Sequence, residues 1–476
     1  MNKKIKKIER MIILKRFGKV ISLCMAGVLT FTLLSGCGGK GDSTDKSTSA
    51  DADYSIEATG SPYAEGIMMK ELADPTVVYM TNTTWEFISQ ENKENAPTPI
   101  YHAMSIWKEV YGQEVTLDLV DWDSYTDHLI TATASGAAPD VMRYYEETRH
   151  PVWAVRNLIS PLDEMMSLDD PDYDLDYSKR YSVGGKYYAL FGKSMPLPRI
   201  SIVYNKTKIE QSGQKTPIEY AAEGKWNWTN FVNLCKALTN VSKNDYGLTG
   251  WNYDASLAVP LSYIGDDGKI VNNIDNAEYR SMYGKLYDIL VTDPVARRDT
   301  TRMDARITLP KGQDAMAFIE TLEYPQFVDT ALSNGGIYEM GIAPVPVLDF
   351  LGDTTVRGSA GTCYAGYAIS SAPQNSEAAA EFVRLVTKVA TNIAKKSGEF
   401  GTLTQYLNDE EKSVFKALEV NTAYDYVPIN SALSGSTKYQ STIWGSGQIS
   451  KTAVQLIEAD KAALNASVAE LENTVS

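Results

Sequence analysis

Histidine is nearly missing from this chain: three residues in 476, His102, His128 and His150. None stands in a zinc spacing such as H-E-x-x-H, and no C-x-x-C occurs, so those metal centres are excluded and no metal or cofactor is expected. Cysteine is equally scarce, at four. Cys24 and Cys37 fall within the first forty residues. Cys235 and Cys363 remain, far apart and in apolar surroundings, and two cysteines make no disulfide framework. They read as buried thiols, with pairing left open. No G-x-S-x-G elbow and no ordered Ser/His/Asp set stands out, which removes common hydrolase signatures. Positive charge is in deficit, with 45 Lys and Arg against 60 Asp and Glu. A chain this acidic does not favour phosphate backbones, so nucleic acid is excluded as a partner.

What is present begins with the amino terminus. A basic run (Lys3, Lys4, Lys6, Lys7, Arg10, Lys15, Arg16, Lys19) precedes the apolar stretch Val20–Leu34. That stretch falls short of the roughly 20 residues of a spanning helix. It ends in Ser35 and Gly36, so residues 1–36 read as a secretory signal peptide. Leu34-Ser35-Gly36-Cys37 fits the bacterial lipobox. That resemblance implies lipidation (palmitate or a similar acyl chain) of Cys37 and cleavage before it. The expectation is a lipoprotein on the extracellular face of the cell membrane, held there through lipid alone. The long basic run and the Lys/Asn/Ile-rich usage point to a Gram-positive cell. Cleavage removes eight basic side chains and one acidic one, leaving 440 residues at −22. Residues 37–70 begin Gly/Ser/Asp/Thr-rich and read as a flexible tether. The remaining length exceeds one ordinary domain, so two are expected.

Along the chain, Thr76–Met80 is a β-branched run. Ile100, Met104, Trp107 and Tyr111 recur at helical spacing until Gly112. Val115, Leu117 and Leu119 alternate as a strand. Ser124 and Asp127 resemble a capping box before a helix over Tyr125–Ser135, and Asp140–Tyr144 is a third strand. Strand, helix, strand, helix, strand predicts a parallel sheet with crossover helices, whose ligand lies at the carboxyl ends of the strands. Further strands are expected over Arg199–Tyr204, Ala315–Ile319 and Met340–Val347. Helices are expected over Trp228–Leu238, behind Ser376 as cap, and over Ile449–Leu471. The class is α/β. Asp170, Asp172 and Asp174 have the 1, 3, 5 spacing of a calcium loop, but Leu175 and Tyr181 stand where Gly and Glu are required. That stretch reads as a solvated loop.

Six ordered pieces carry a resemblance. Val115–Met142 ends in small residue-Gly-x-x-Pro-Asp-Val. Gly185-Lys186-Tyr187-Tyr188-Ala189-Leu190 follows. Tyr204-Asn205-Lys206 comes next, with Pro217 and Trp228-Thr229-Asn230-Phe231 behind it. Then come Gly312-Gln313-Asp314-Ala315-Met316, Gly341-Ile342-Ala343-Pro344-Val345-Pro346, and Gly361–Val383. Together, in order from about residue 75, they resemble extracellular solute-binding proteins of the maltose-binding-protein-like group. The resemblance implies a two-lobe, type II periplasmic-binding-protein-like fold with discontinuous lobes. One lobe is expected at 71–193 plus 357–405, the other at 198–343 plus 406–476. Hinge strands are expected near Phe191–Pro198 and Pro344–Val356. It also implies a monomer that hands a solute to ABC permease subunits.

A sugar offers apolar faces and a ring of hydroxyls, so aromatic shelves and planar polar side chains suit it. The family's cleft positions, carried over residue by residue, fall on Trp85, with Asn82 and Glu86 nearby. They fall also on Tyr144, Tyr145, Glu146 and Glu147, and on Trp251, with Asn252, Tyr253 and Asp254. Gly361, Thr362, Tyr364 and Trp444 complete the set. After "A-M" the family commonly has Gly-x-Trp; this chain has Glu320 through Tyr324 instead, which makes Glu320 and Tyr324 candidates. Trp107, Trp226 and Trp228 read as packing. Arg143, if it faced the cleft, would suit a uronate carboxylate. A polyamine remains an alternative solute because Glu146, Glu147 and Asp254 are acidic. An exported glycan-degrading enzyme is the rival class. It needs two carboxylates across a sugar, and the sequence supplies no ordered motif for them.

Overall fold

The computed structural model describes residues 54–81, 98–121, 124–144, 150–193, 198–250, 259–265, 269–298, 300, 302–358, 366–398, 400–421 and 452–475. In chain order, β1 (Tyr54–Glu57), β2 (Met68–Lys70), β3 (Val78–Thr81), α1 (Pro99–Tyr111), β4 (Thr116–Leu119), α2 (Tyr125–Ala134) and β5 (Val141–Tyr144) come first. Next are β6 (Ile200–Asn205), α3 (Trp228–Leu238), β7 (Tyr246–Thr249), α4 (Ala277–Tyr287), β8 (Asp314–Glu320), α5 (Tyr324–Ser333) and β9 (Met340–Pro344). The chain closes with β10 (Gly366–Ile369), α6 (Ser376–Ser397), α7 (Asp409–Ala417) and α8 (Ala453–Val475).

Local chemistry sets these limits. Pro99 starts α1, where a missing N–H costs nothing. Gly112 ends it at φ 67°, donating its N–H to the Lys108 carbonyl at 2.9 Å, a conformation glycine adopts without strain. Ile100, Ala103, Ile106 and Trp107 form its buried stripe. Two expected caps differ. Ser124 makes no side-chain bond to α2. Asn375, not Ser376, caps α6, its side-chain oxygen accepting from Ala378 N–H at 3.1 Å. An N-cap needs extended backbone so that its side chain can turn back on the first turn. Asn375 has that backbone and Ser124 does not.

Two four-stranded sheets result. The first runs β10-β5-β3-β4, with β3 parallel to β4 and β5 and β10 antiparallel at the edge. The second runs β9-β6-β8-β7, with β8 parallel to β7 and β6 antiparallel to both neighbours. Side-chain alternation gives each sheet two buried faces. In the first, Tyr79, Val141 and Tyr367 pack with α1 and α6, while Met80, Met142 and Tyr144 pack with Leu129, Trp153 and Phe191. In the second, Ile202, Tyr204, Met316 and Phe318 meet α3, α4 and α8, while Val203, Ala317, Ile319 and Ile342 meet α5 and α7. Trp107 fills the first core, and Trp226 and Trp228 fill the second. Each fully buried Leu, Ile or Phe contributes roughly 1.5–3 kcal/mol.

Packing moves several expected limits. Residues 54–70, expected as tether, form the β1–β2 hairpin and dock on α6. Glu381 accepts the Lys70 N–H at 3.2 Å, Arg384 donates to the Met68 carbonyl, and its guanidinium lies 4.2 Å from the Tyr54 ring centre. Asn392 donates to the carbonyls of Tyr63 and Glu65, both at 2.9 Å. Residues 345–356, expected as a hinge crossing, and Arg357, expected to begin the first lobe's second segment, belong to the second core. Leu348 is buried there, the Trp228 N–H donates to the Val347 carbonyl, and Arg357 pairs with Glu278 at 2.7 Å. Phe400 and Leu403, expected in the first lobe, also pack with the second sheet. The acidic loop is not simply solvated: Lys388 reaches Asp170 at 2.7 Å and Asp172 at 3.1 Å, and Lys395 reaches Asp172 at 2.6 Å.

Candidate functional site

The carboxyl ends of the parallel strands define where a solute would meet each lobe. In the first sheet, Thr81, Leu119 and Tyr144 end β3, β4 and β5, and β10 begins at Gly366 opposite Tyr144. Asn82, Trp85 and Glu86 follow Thr81 in sequence. Tyr145, Glu146 and Glu147 follow Tyr144, and Gly361, Thr362 and Tyr364 shortly precede Gly366. In the second sheet, β7 ends at Thr249, shortly before Trp251, Asn252, Tyr253 and Asp254. All of these candidates lie outside the described residues, as do Trp444, Cys37 and Cys363.

Four predicted residues are described: Tyr144, Tyr324, Glu320 and Arg143. Tyr144 is fully buried. It shares a face of β5 with Met142 and stacks into an aromatic group with Trp153 and Tyr181, ring centres 5.8 and 6.1 Å away. Its hydroxyl pairs with His150 Nδ1 at 3.0 Å. Burial lowers the His150 pKa to about 3, so the ring is neutral at ordinary pH. Tyr144 therefore lies under the strand edge rather than standing open on it, because strand alternation turns it into the core. Tyr324 is buried too, in the core beside α5, with its hydroxyl donating to the Met340 carbonyl at 3.1 Å. Its position at the helix start faces Phe327 and Ile342.

Glu320 differs from both. It is the one partly exposed residue of an otherwise buried strand. Its carboxylate lies 3.5 Å from the guanidinium of Arg199, with side-chain exposures of 34% and 18%. Arg199 was not among the sequence candidates. A cation directly ahead of a buried strand, where the chain enters the second sheet, was the available signal. The backbones carrying the pair are stapled: the Thr321 N–H donates to the Arg199 carbonyl at 2.8 Å, and the Thr321 hydroxyl donates to the Pro198 carbonyl. Arg143, the candidate for a uronate, is 7% exposed within β5.

Asp140, in the Pro-Asp-Val motif, sits at the opposite end of the strands. It accepts the N–H groups of Val78 and Asn375, each at 2.8 Å, and burial raises its pKa. The motif residue is thus a structural knot. A cavity of about 390 Å³ borders the end of β9, lined by Trp226, Pro344, Val356, Ser413 and Leu418 among others. Its walls come from the second core's elements, so it is not between the lobes. Cys235 is fully buried with no disulfide. Among the described residues, no cluster of three or more His, Cys, Asp or Glu is arranged to hold a metal ion.

Residues 81–392 match the family described as bacterial extracellular solute-binding protein. Solved structures with the same fold include an ABC transporter solute-binding protein from Thermotoga lettingae bound with α-D-tagatose. It is 16% identical, has a TM-score of 0.56, and the match covers 84% of this chain and 100% of that one. A maltose/maltodextrin-binding domain from Bdellovibrio bacteriovorus bound to maltotriose is 13% identical, with a TM-score of 0.59 and coverage of 83% and 100%. An ABC substrate-binding protein from Listeria monocytogenes in complex with cycloalternan is 16% identical, with a TM-score of 0.54 and coverage of 84% and 98%. No curated protein matches the chain.

Proposed function

Because the chain belongs to the bacterial extracellular solute-binding proteins, we propose that it is the substrate-binding lipoprotein of an ABC importer for a carbohydrate. The observation that carries this reading is the pair of sheets whose carboxyl ends feed the aromatic and acidic segments. Trp85, Tyr145, Glu146, Trp251, Asp254, Tyr364 and Trp444 are the residues that would touch the solute. Tyr144 and Tyr324 would support that surface from beneath. A solute bridging both lobes stabilises the closed form by its differential affinity for it. Three neighbours in fold are bound to saccharides, which supports a sugar over a polyamine. The work is binding, not catalysis.

Cys37 would carry the lipid, and membrane permease subunits would receive the closed form, on the outer face of a Gram-positive cell. Among the described residues no helix is long and apolar enough to cross a membrane. The protein would act as a monomer.

The test is a thermal-shift screen of residues 38–476 against mono- and oligosaccharides, uronates and polyamines. A ligand at 100 times its Kd stabilises by about 2.7 kcal/mol, a visible shift. A sugar shift that disappears in Trp251→Ala supports the receptor and its shelf. A shift with polyamines alone overturns the sugar, and cleavage of a glycan during the screen favours the enzyme.

A further inference from the structure

The solute's charge can be read from the carboxyl end of the second sheet's central strand β8. We propose that Glu320 and Arg199 form a polar anchor, neutral as a pair, that selects an uncharged polyhydroxylated solute and rejects uronates and polyamines. This rests on the carbohydrate-receptor reading and deepens it.

Glu320 ends β8, and Arg199 immediately precedes β6, the antiparallel neighbour that pairs Ile200 with Glu320. The two charged groups are therefore side by side at one end of the two central strands, 3.5 Å apart and partly exposed. Their backbones do not move independently. The Thr321 N–H and hydroxyl bond the carbonyls of Arg199 and Pro198. Thr321 is itself fully buried, its hydroxyl 2.7 Å from that of Ser201. The pair is thus positioned before any solute arrives, which lowers the ordering cost of binding.

A carboxylate accepts hydrogen bonds from hydroxyl groups, and a guanidinium donates to hydroxyl or ring oxygens. Sugar hydroxyls both donate and accept, so vicinal ones can satisfy the two groups together. An anionic solute meets Glu320 as a like charge, and a cationic one meets Arg199. Either must separate the pair, and that repulsion is the discriminating element. Arg143, the other cation considered for a carboxylate, is buried in the sheet.

Calorimetric titration tests this with maltotriose, tagatose, glucuronate and spermidine on residues 38–476 and on Glu320→Gln and Arg199→Gln. At least one neutral sugar should bind the parent chain more tightly than either charged probe. Glu320→Gln should weaken that sugar about tenfold and narrow its advantage over glucuronate by a similar factor. Arg199→Gln should instead narrow the advantage over spermidine. The double variant, which carries neither like charge, should bind the sugar weakly and lose its discrimination against both charged probes. Near-ultraviolet circular dichroism checks that each variant keeps its packing. If one variant fails to fold, the other and the parent still report on charge selection. Sugar binding with an unchanged charge preference in the folded variants would overturn the anchor and leave the receptor standing. Glucuronate binding the parent chain best would overturn the anchor and leave the carbohydrate receptor standing; spermidine binding best, or none of the four binding, would overturn the carbohydrate reading and the anchor together.

Discussion

The two lobes fasten the amino ends of their strands with the same residue and different electrostatics. In the first, Asp140 immediately precedes β5 and accepts the N–H of Val78, which opens the parallel neighbour β3. In the second, Asp314 opens β8 and accepts the N–H of Tyr246, which opens the parallel neighbour β7, at 3.2 Å. Both carboxyls are buried. Asp140 is held by backbone N–H groups, and burial raises its pKa. Asp314 has a cation: Arg297 bonds it through Nη2 at 2.7 Å and Nε at 3.1 Å, and lies 4.6 Å from the Tyr246 ring centre. A buried carboxylate can be satisfied by dipoles alone or by a full charge. The second solution is the more brittle, because removing the cation leaves an uncompensated charge in the core.

That contrast predicts the largest effect. Arg297→Met should cost the second lobe about 3–5 kcal/mol, whereas Asp140→Asn, which keeps an acceptor, should cost the first lobe only about 1–3 kcal/mol. Denaturant unfolding followed by tryptophan fluorescence checks this. Equal costs would remove the distinction between the lobes.

The lobes should also weaken as pH moves in opposite directions. In the first, burial lowers the pKa of His150 to about 3 and that of His102 to about 4. Between these values and the ordinary 6.5 of a free imidazole, the unfolded chain binds more protons than the folded one. Stability is therefore complete above 6.5 and declines as pH falls, by about 2 kcal/mol per histidine between 6.5 and 5. In the second, Glu411 accepts the N–H of Ile342 at 3.0 Å and of Asn408 at 2.9 Å, yet desolvation raises its pKa to about 7. Here the folded chain binds more protons between 4.5 and 7. Stability is lost as pH rises through that window, by about 3 kcal/mol. Glu411→Gln should flatten the decline between 4.5 and 7, and His150→Asn should reduce the loss below 6.5. Hydrogen exchange at pH 5 and 8 assigns each loss to a lobe. Loss in the same lobe at both pH values would break the comparison.

The smallest effect concerns caps within the first lobe. Asn375→Ala should cost about 1 kcal/mol, while Ser124→Ala should be near neutral, because Ser124 makes no cap bond. Thermal midpoints of the two variants decide this.

Much of the frame was legible before folding. The strand-helix-strand-helix-strand run over 76–144 and the stripe of α1 follow from periodicities of two and 3.6 residues, which are properties of neighbours in sequence. The same holds for the stop at Gly112 and for β8. The hairpin at 54–70 was not legible, since what holds it is Glu381, Arg384 and Asn392, some 300 residues away. Of the candidate site, the sequence marked which segments leave the strand ends and which residue types they carry. It could not show that Tyr144 and Tyr324 turn inward. Nor could it show that Glu320 has Arg199 beside it. Periodicity and turn chemistry act over a few residues and so determined the α/β elements and their order. Burial, charge pairing and shifted pKa values depend on which distant segments share a core, and only the tertiary structure decided those.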